Sequence, residues 1–276
     1  MTVSYEGKDY RLHDLDPFII QFSETTGIRW YGFAYVLGFL AAGWLLSIYF
    51  KRSKSPFNKD QQHNVLLILI LGLMVGGRMG YMLLYDIGTL LSSPIKLFYV
   101  WEGGMASHGG IAGLTAAVAY VAYHYKQPFW KVADIIVTLG PAGVFFGRIA
   151  NYINGELWGT ISTVNWAVVF PDAVPYGVPR HPSQLYEAVL EGLVVLAYLQ
   201  WRFWKSKITV STPGQLSGEF FVLYAVLRVL GEQFREPDAE LILGLSRGVF
   251  YSVLMLVVGI TFIVLARKRA SQSPPT

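Results

Sequence analysis

Residues 248–266 read GVFYSVLMLVVGITFIVLA and are followed at once by Arg267, Lys268 and Arg269. No charged residue interrupts the stretch. A helix rises about 1.5 Å per residue, so a run of this length crosses most of the roughly 30 Å hydrocarbon core of a bilayer. The basic triplet that follows is the usual mark of the cytoplasmic end of a span. Working back along the chain, the same test finds apolar runs at 30–50, 64–85, 107–125, 130–151, 184–204 and 216–234. The run at 107–125 is short and rich in Gly and Ala, which also fits a partly re-entrant segment. Those at 130–151 and 216–234 each carry an Arg.

Composition agrees with this pattern. Of 276 residues, 53% are hydrophobic and 14% charged, against about a quarter charged in soluble domains. The expected fold is therefore all-α: a polytopic integral membrane protein with about seven transmembrane helices. It forms a single membrane domain over residues 1–276. Segment 1–29 is polar and lacks the basic stretch and short apolar core of a cleavable signal. The first span, from Trp30, is expected to be retained.

Lys and Arg set the orientation. The connection 51–62 carries Lys51, Arg52, Lys54 and Lys59, the next Lys126 and Lys131, a third Arg202, Lys205 and Lys207, and the tail Arg267, Lys268 and Arg269. Asp60 is the one acid among these twelve bases. Seven spans place all four segments on one face, the cytoplasmic one. The N-terminus and the connection 152–183 then lie outside, the latter as a small ordered cap, and the C-terminus is cytoplasmic, with a polar, frayed tail at 271–276. No internal repeat of 20–50 residues is evident, which argues against a transporter built from repeated halves.

Several chemistries are excluded. Cys is absent, so the chain carries no disulfide, thiolate metal site or Cys nucleophile, and any thiol must come from a substrate. Five His without HExxH spacing argue against a zinc site, and no other metal or cofactor is implied. The serine-hydrolase alternative, Ser107 or Ser183 paired with His108 or His181, lacks a GxSxG turn.

Charged residues within spans are costly and usually face a cavity or a partner. Here they collect toward the outer ends. Arg78 and Tyr81 lie in GGRMGY (76–81), where Arg78 reads either as a binding residue or as a packing Arg beside glycines. Arg148, Asn151, Asn154, Glu156 and Gly159 lie in GRIANYINGELWG (147–159), too dense a polar set for snorkelling alone. Tyr224, Arg228, Glu232 and Arg235 fall at helical spacing on one face. An internal Arg228–Glu232 pair explains how the charge is tolerated but not why it is present. Glu187 and Glu191, four apart, are available to answer these Arg residues. His108 sits in GGMASHGG (103–110), as a catalyst or as a packed, hydrogen-bonded residue. His181 begins the run 184–204, as an anchoring or a reactive residue. Several guanidinium groups gathered near one face suit a phosphate, which their planar fork grips at two points.

These segments in order, with Trp30–Tyr31–Gly32, RHPSQLYE (180–187) and the stretch 228–238, resemble the motifs of the prolipoprotein diacylglyceryl transferases, and the likeness runs from about residue 30 to 238. Small departures are Thr160 where many relatives have Arg, a short segment between Thr160 and Arg180, and variation at Ala106–Ser107. The resemblance implies an enzyme of the bacterial inner (plasma) membrane. Its partners would be phosphatidylglycerol and preprolipoprotein signal peptides with a lipobox Cys, in contact with membrane lipid, as a monomer and without nucleic acid. Diacylglyceryl would pass to the thiol as a thioether, with release of glycerol-1-phosphate. By motif, His108 would be the base, Arg148 the phosphate binder and Arg228 an essential charge. Tyr31, Asn151, Asn154, Glu156, Gly159, Tyr224, Glu232, Arg235, His181, Arg78 and Tyr81 would contribute to substrate binding.

Overall fold

The computed structural model describes residues 1–23, 27–100, 103–237 and 240–272. Glu24 of the acidic N-terminal segment, Asp238 at the end of the last motif and the tail end 273–276 fall outside the described residues. The chain forms two compact units, residues 42–136, and residues 1–41 together with 137–276.

It is mostly helical. Among the described residues, four helical stretches are long and apolar enough to cross a membrane: α1 (Trp30–Lys51), α2 (Lys59–Leu84), the stretch Phe129–Ile153 and α11 (Arg247–Gln272). The other three expected runs are helical as well. Between α2 and the next long helix lie a short α3 (Ile87–Ser92) and a 3-10 turn, Pro94–Phe98. Then follow α4 (Ser107–His124), α5 (Phe129–Val137) and α6 (Gly140–Ile153). Pro141 starts α6 without an N–H to give, which separates α5 from α6. The chain continues as α7 (Ser183–Glu187), a π-helical stretch Ala188–Val194, α8 (Val195–Lys205), a short α9 (Ile208–Ser211) and α10 (Gln215–Glu232).

In the 42–136 unit, α2 opens on a reciprocal cap. Asn58 accepts from the Gln61 backbone N–H, and the Gln61 side chain accepts from the Asn58 N–H. Gly76 and Gly80 of α2 meet Gly109 and Gly113 of α4 backbone to backbone. A Cβ on Gly80 would stand 2.6 Å from the Gly109 Cα. Small residues at such a crossing let two membrane helices touch along their main chains. Gly109, the residue after His108, therefore serves helix contact, whereas Gly103 and Gly104 take positive φ in the loop before α4.

The all-α expectation misses two small sheets in the other unit. Strands β1 (Thr2–Tyr5), β2 (Lys8–Leu12), β5 (Val168–Val169) and β6 (Pro179–Arg180) form one sheet in the order β1-β2-β5-β6. β3 (Phe18–Gln21) and β4 (Gly27–Arg29) form a hairpin. In the first sheet β2 runs parallel to β5, with Arg11 opposite Val168 and Leu12 opposite Val169, while both outer pairs are antiparallel. Tyr10 of β2 is buried on Ala167 and Val169, with Leu12 partly buried against the same cluster. A run of five residues with two apolar positions is too short an alternation to announce itself in sequence.

Candidate active site

Three helical segments build the charged centre of the 1–41/137–276 unit. α6 brings Arg148, the π-helical stretch and the turn before it bring Glu191 and Glu187, and α10 with its continuation brings Tyr224, Arg228, Glu232 and Arg235. Glu187 and Glu191 are fully buried. Arg148 Nη1 lies 2.9 Å from Glu187 Oε2 and its Nη2 2.9 Å from Glu191 Oε2, so one guanidinium bridges both carboxylates. Arg228 Nη1 repeats this from the other side, 2.6 Å from Glu187 Oε1 and 3.1 Å from Glu191 Oε1, while its Nη2 meets Glu232 at 2.6 Å. Arg235 Nη1 donates to both oxygens of Glu187, and the Tyr224 hydroxyl donates to Glu191 Oε2 at 2.9 Å.

Arg148, Arg228 and Arg235 are thus matched by Glu187, Glu191 and Glu232. Taking six ionised groups out of water costs several kcal/mol each before pairing, and an apolar set of the same volume usually stabilises a fold better. Stability alone is therefore weak grounds for such a network. Glu187 is the hub, since all three guanidinium groups touch it. A π turn, in which hydrogen bonding widens to i→i+5, is rare and frequent at functional sites. Here it begins directly after Glu187 and contains Glu191.

Glu187 and Glu191 were expected only as acids available to answer these Arg residues, and they pair with Arg148, Arg228 and, for Glu187, Arg235. Their spacing by four gave a shared face, but not that Glu187 would join three bases.

Beyond α6 the chain makes a tight turn. Asn151 Nδ2 and Asn154 Nδ2 both donate to Glu156 Oε1, at 2.8 and 3.3 Å, and Gln184 Nε2 donates to the Glu156 carbonyl at 2.7 Å. Ser183 Oγ donates to Leu157 O, so this hydroxyl is engaged away from His181. Gly159 N–H donates to His181 O at 3.0 Å, and Gly159 bridges to Arg235. A Cβ on Gly159 would stand 2.5 Å from His181 O, so this position is glycine because two strands of backbone meet there. Arg180, fully buried, fastens the same layer through Gly159 O, Val174 O and Glu236. Backbone pairing therefore ties the 156–160 turn directly to Arg235 of the charged centre.

His181 Nδ1 lies 3.1 Å from the Tyr186 hydroxyl, and its ring packs edge-on against Phe234. Burial pushes its imidazole below the ordinary value. Tyr31, in the first turn of α1, packs edge-on against Tyr35.

Arg78, Tyr81 and His108 belong to the 42–136 unit. Arg78 is buried and donates to four backbone carbonyls, those of Lys96, Leu97, Gly103 and Gly104. The packing reading of Arg78 thus has a definite form: its guanidinium holds together the two ends of the loop that leads to His108. Its carbon also lies 6.0 Å from the Tyr81 ring centroid. His108 is the second residue of α4 and is exposed.

Long apolar helices carrying a balanced set of buried charges in their packed interior define a helical membrane protein with an internal polar site. Residues 17–265 match the family model described as prolipoprotein diacylglyceryl transferase. The chain belongs to that family. It is 42% identical over 269 residues to the phosphatidylglycerol–prolipoprotein diacylglyceryl transferase of Rhizobium meliloti (strain 1021), covering 94% of each chain. The protein of that name from Shewanella sp. (strain ANA-3) is 41% identical over 262 residues, covering 91% of this chain and 96% of its own. That from Aliivibrio salmonicida (strain LFI1238) is 41% identical over 258 residues, covering 92% and 89%.

Proposed function

We propose that this chain transfers the diacylglyceryl group of phosphatidylglycerol to the lipobox Cys thiol of a preprolipoprotein, the first step of lipoprotein maturation. The observation that carries the reading is the gathering of Arg148 and Arg228 on the same two buried carboxylates. The thiolate sulfur attacks the glyceryl carbon that bears the phosphate. A C–S bond forms, the C–O bond breaks, and its electron pair leaves with glycerol-1-phosphate. His108 accepts the thiol proton, directly or through water, a role taken from its matched motif. Arg148 and Arg228 bind the phosphate and stabilise the charge that grows on it as it departs.

The balance of charge in the network bears on how phosphate enters. With three carboxylates on three guanidinium groups the network is already neutral, which favours an incoming anion that takes the place of one of the acids. Among the described residues Glu232 pairs with Arg228 alone, whereas Glu187 and Glu191 each bridge at least two bases. Glu232 is therefore the partner that phosphate displaces. Tyr31, Asn151, Asn154, Glu156, Gly159, Tyr224, Arg235, His181, Arg78 and Tyr81 complete or support the substrate site.

In this reading the protein is a monomer of the bacterial inner membrane, one membrane domain with seven spans. Residues 1–29 and 152–183 lie on the periplasmic side and the C-terminus is cytoplasmic. The placement of Lys and Arg supports that orientation. The test is mass spectrometry of a lipobox peptide incubated with purified protein and phosphatidylglycerol vesicles. A gain of one diacylglyceryl unit on Cys is expected, with none on a Cys→Ser peptide or with Arg148→Ala. No gain with the unaltered protein would overturn the assignment.

A further inference from the structure

Residues 1–16 precede the stretch that the family model matches. They are nonetheless built into the end of α6. The backbone of His13 extends the pairing of β2 by donating to Val169 O at 2.8 Å. Its ring is buried, stacked on Phe170 at 5.2 Å and edge-on to Tyr152 at 5.4 Å. His13 Nε2 lies 2.6 Å from the Tyr152 carbonyl oxygen. A carbonyl only accepts, so Nε2 carries the proton and donates.

That carbonyl belongs to the last turn of α6, where main-chain oxygens lack partners within the helix. Gly155 takes φ +67°, its N–H donates to Tyr152 O, and Glu156 N–H donates back to Asn151 O. These two bonds close a C-terminal turn of the kind a left-handed glycine permits. The same turn sets Asn151 and Asn154 onto Glu156. The face of Gly155 is covered by the His13 ring, whose Cε1 would stand 3.1 Å from a Cβ there.

We propose that His13 is a positioning residue for the transfer reaction. The N-terminal sheet delivers its imidazole to the end of α6, and its N–H fixes the turn that presents Asn151, Asn154 and Glu156 to the lipid headgroup. The proposal rests on the function argued above, and it makes the N-terminal strands part of the machinery.

Two variants of the full chain separate the donor from the ring. His13→Phe keeps an aromatic ring on Phe170 and removes the N–H, while His13→Gln keeps an N–H of similar reach. With phosphatidylglycerol vesicles and a lipobox peptide, KM for the lipid is expected to rise about fivefold to tenfold in His13→Phe, the size of one hydrogen bond. It should return to within about twofold of the unaltered value in His13→Gln, with kcat changed less than KM in both. A purely structural role would lower the folded fraction, which scales apparent kcat and leaves KM unmoved. An unchanged KM in His13→Phe, or an equal rise in both variants, would overturn the proposal. Absence of transfer by the unaltered chain would instead refute the function on which it rests.

Discussion

Glu187 Oε1 lies 2.6 Å from Arg228 Nη1, and the same carboxylate also receives Arg148 and Arg235 while none of its side chain reaches the surface. One acid thus ties α6, α10 and the segment after α10 to the helix that begins at Ser183. Removing its charge should be more damaging than removing that of Glu232, which holds Arg228 alone. Stranding a buried base costs about 3–5 kcal/mol. Glu187→Gln is expected to lower the thermal midpoint of the detergent-solubilised protein well below that of Glu232→Gln. Equal midpoints would show that Glu187 is not the hub.

Arg148 reaches two carboxylates because its two terminal nitrogens point along one planar fork. Lys keeps the charge but presents a single ammonium. Arg148→Lys is expected to remain folded and to lose at least roughly tenfold in kcat/KM, equivalent to about 1.4 kcal/mol. Retention of full transfer activity would mean that charge alone suffices at this position.

The α2–α4 contact leaves no room for side chains where Gly109 lies over Gly76 and Gly80. Forcing extra carbons into a packed contact costs about 1–3 kcal/mol, and more where the neighbour is main chain. Gly109→Val should reduce the yield of folded protein and its melting temperature. Gly88→Ala, where an added Cβ meets open space, should leave both unchanged.

Burial holds the His181 imidazole below its ordinary value of about 6.5. Between the two values the unfolded chain binds the proton and the folded chain does not, so stability rises with pH through that window. The contribution is complete above the unfolded value and is lost as pH falls through the lower folded one. Thermal midpoints measured from pH 8 to pH 5 should therefore fall less steeply for His181→Gln than for the unaltered protein. Parallel slopes would assign the acid sensitivity to other groups.

Much of the helix pattern was open to reading from sequence because membrane helices obey one dominant rule, a sustained apolar run bounded by basic residues. The strands of the N-terminal segment were not. β5 and β6 have two residues each, and β2, beyond its neighbour β1, pairs with β5 more than 150 residues away. Local periodicity does not report such pairing. For the charged centre, the 4, 4, 3 spacing of Tyr224, Arg228, Glu232 and Arg235 announced a face. The role of Arg78 could not be read in this way, because its four acceptors are backbone carbonyls, which every residue carries.

What the sequence determined by itself was the solvent of the protein and the chemistry it carries: apolar runs long enough for a bilayer, no thiol of its own, and Arg residues in segments where a lone charge is too costly to be incidental. Only the tertiary structure decided how those charges are answered. Glu187, just before a π-helical stretch, and Glu191 within it gather three bases, Gly159 sits where backbones collide, and an N-terminal His caps the end of α6. The reason is physical. Transfer of a side chain from water depends on its own composition, whereas an ion pair or a hydrogen bond depends on angles and tenths of an ångström between groups that are far apart in the chain.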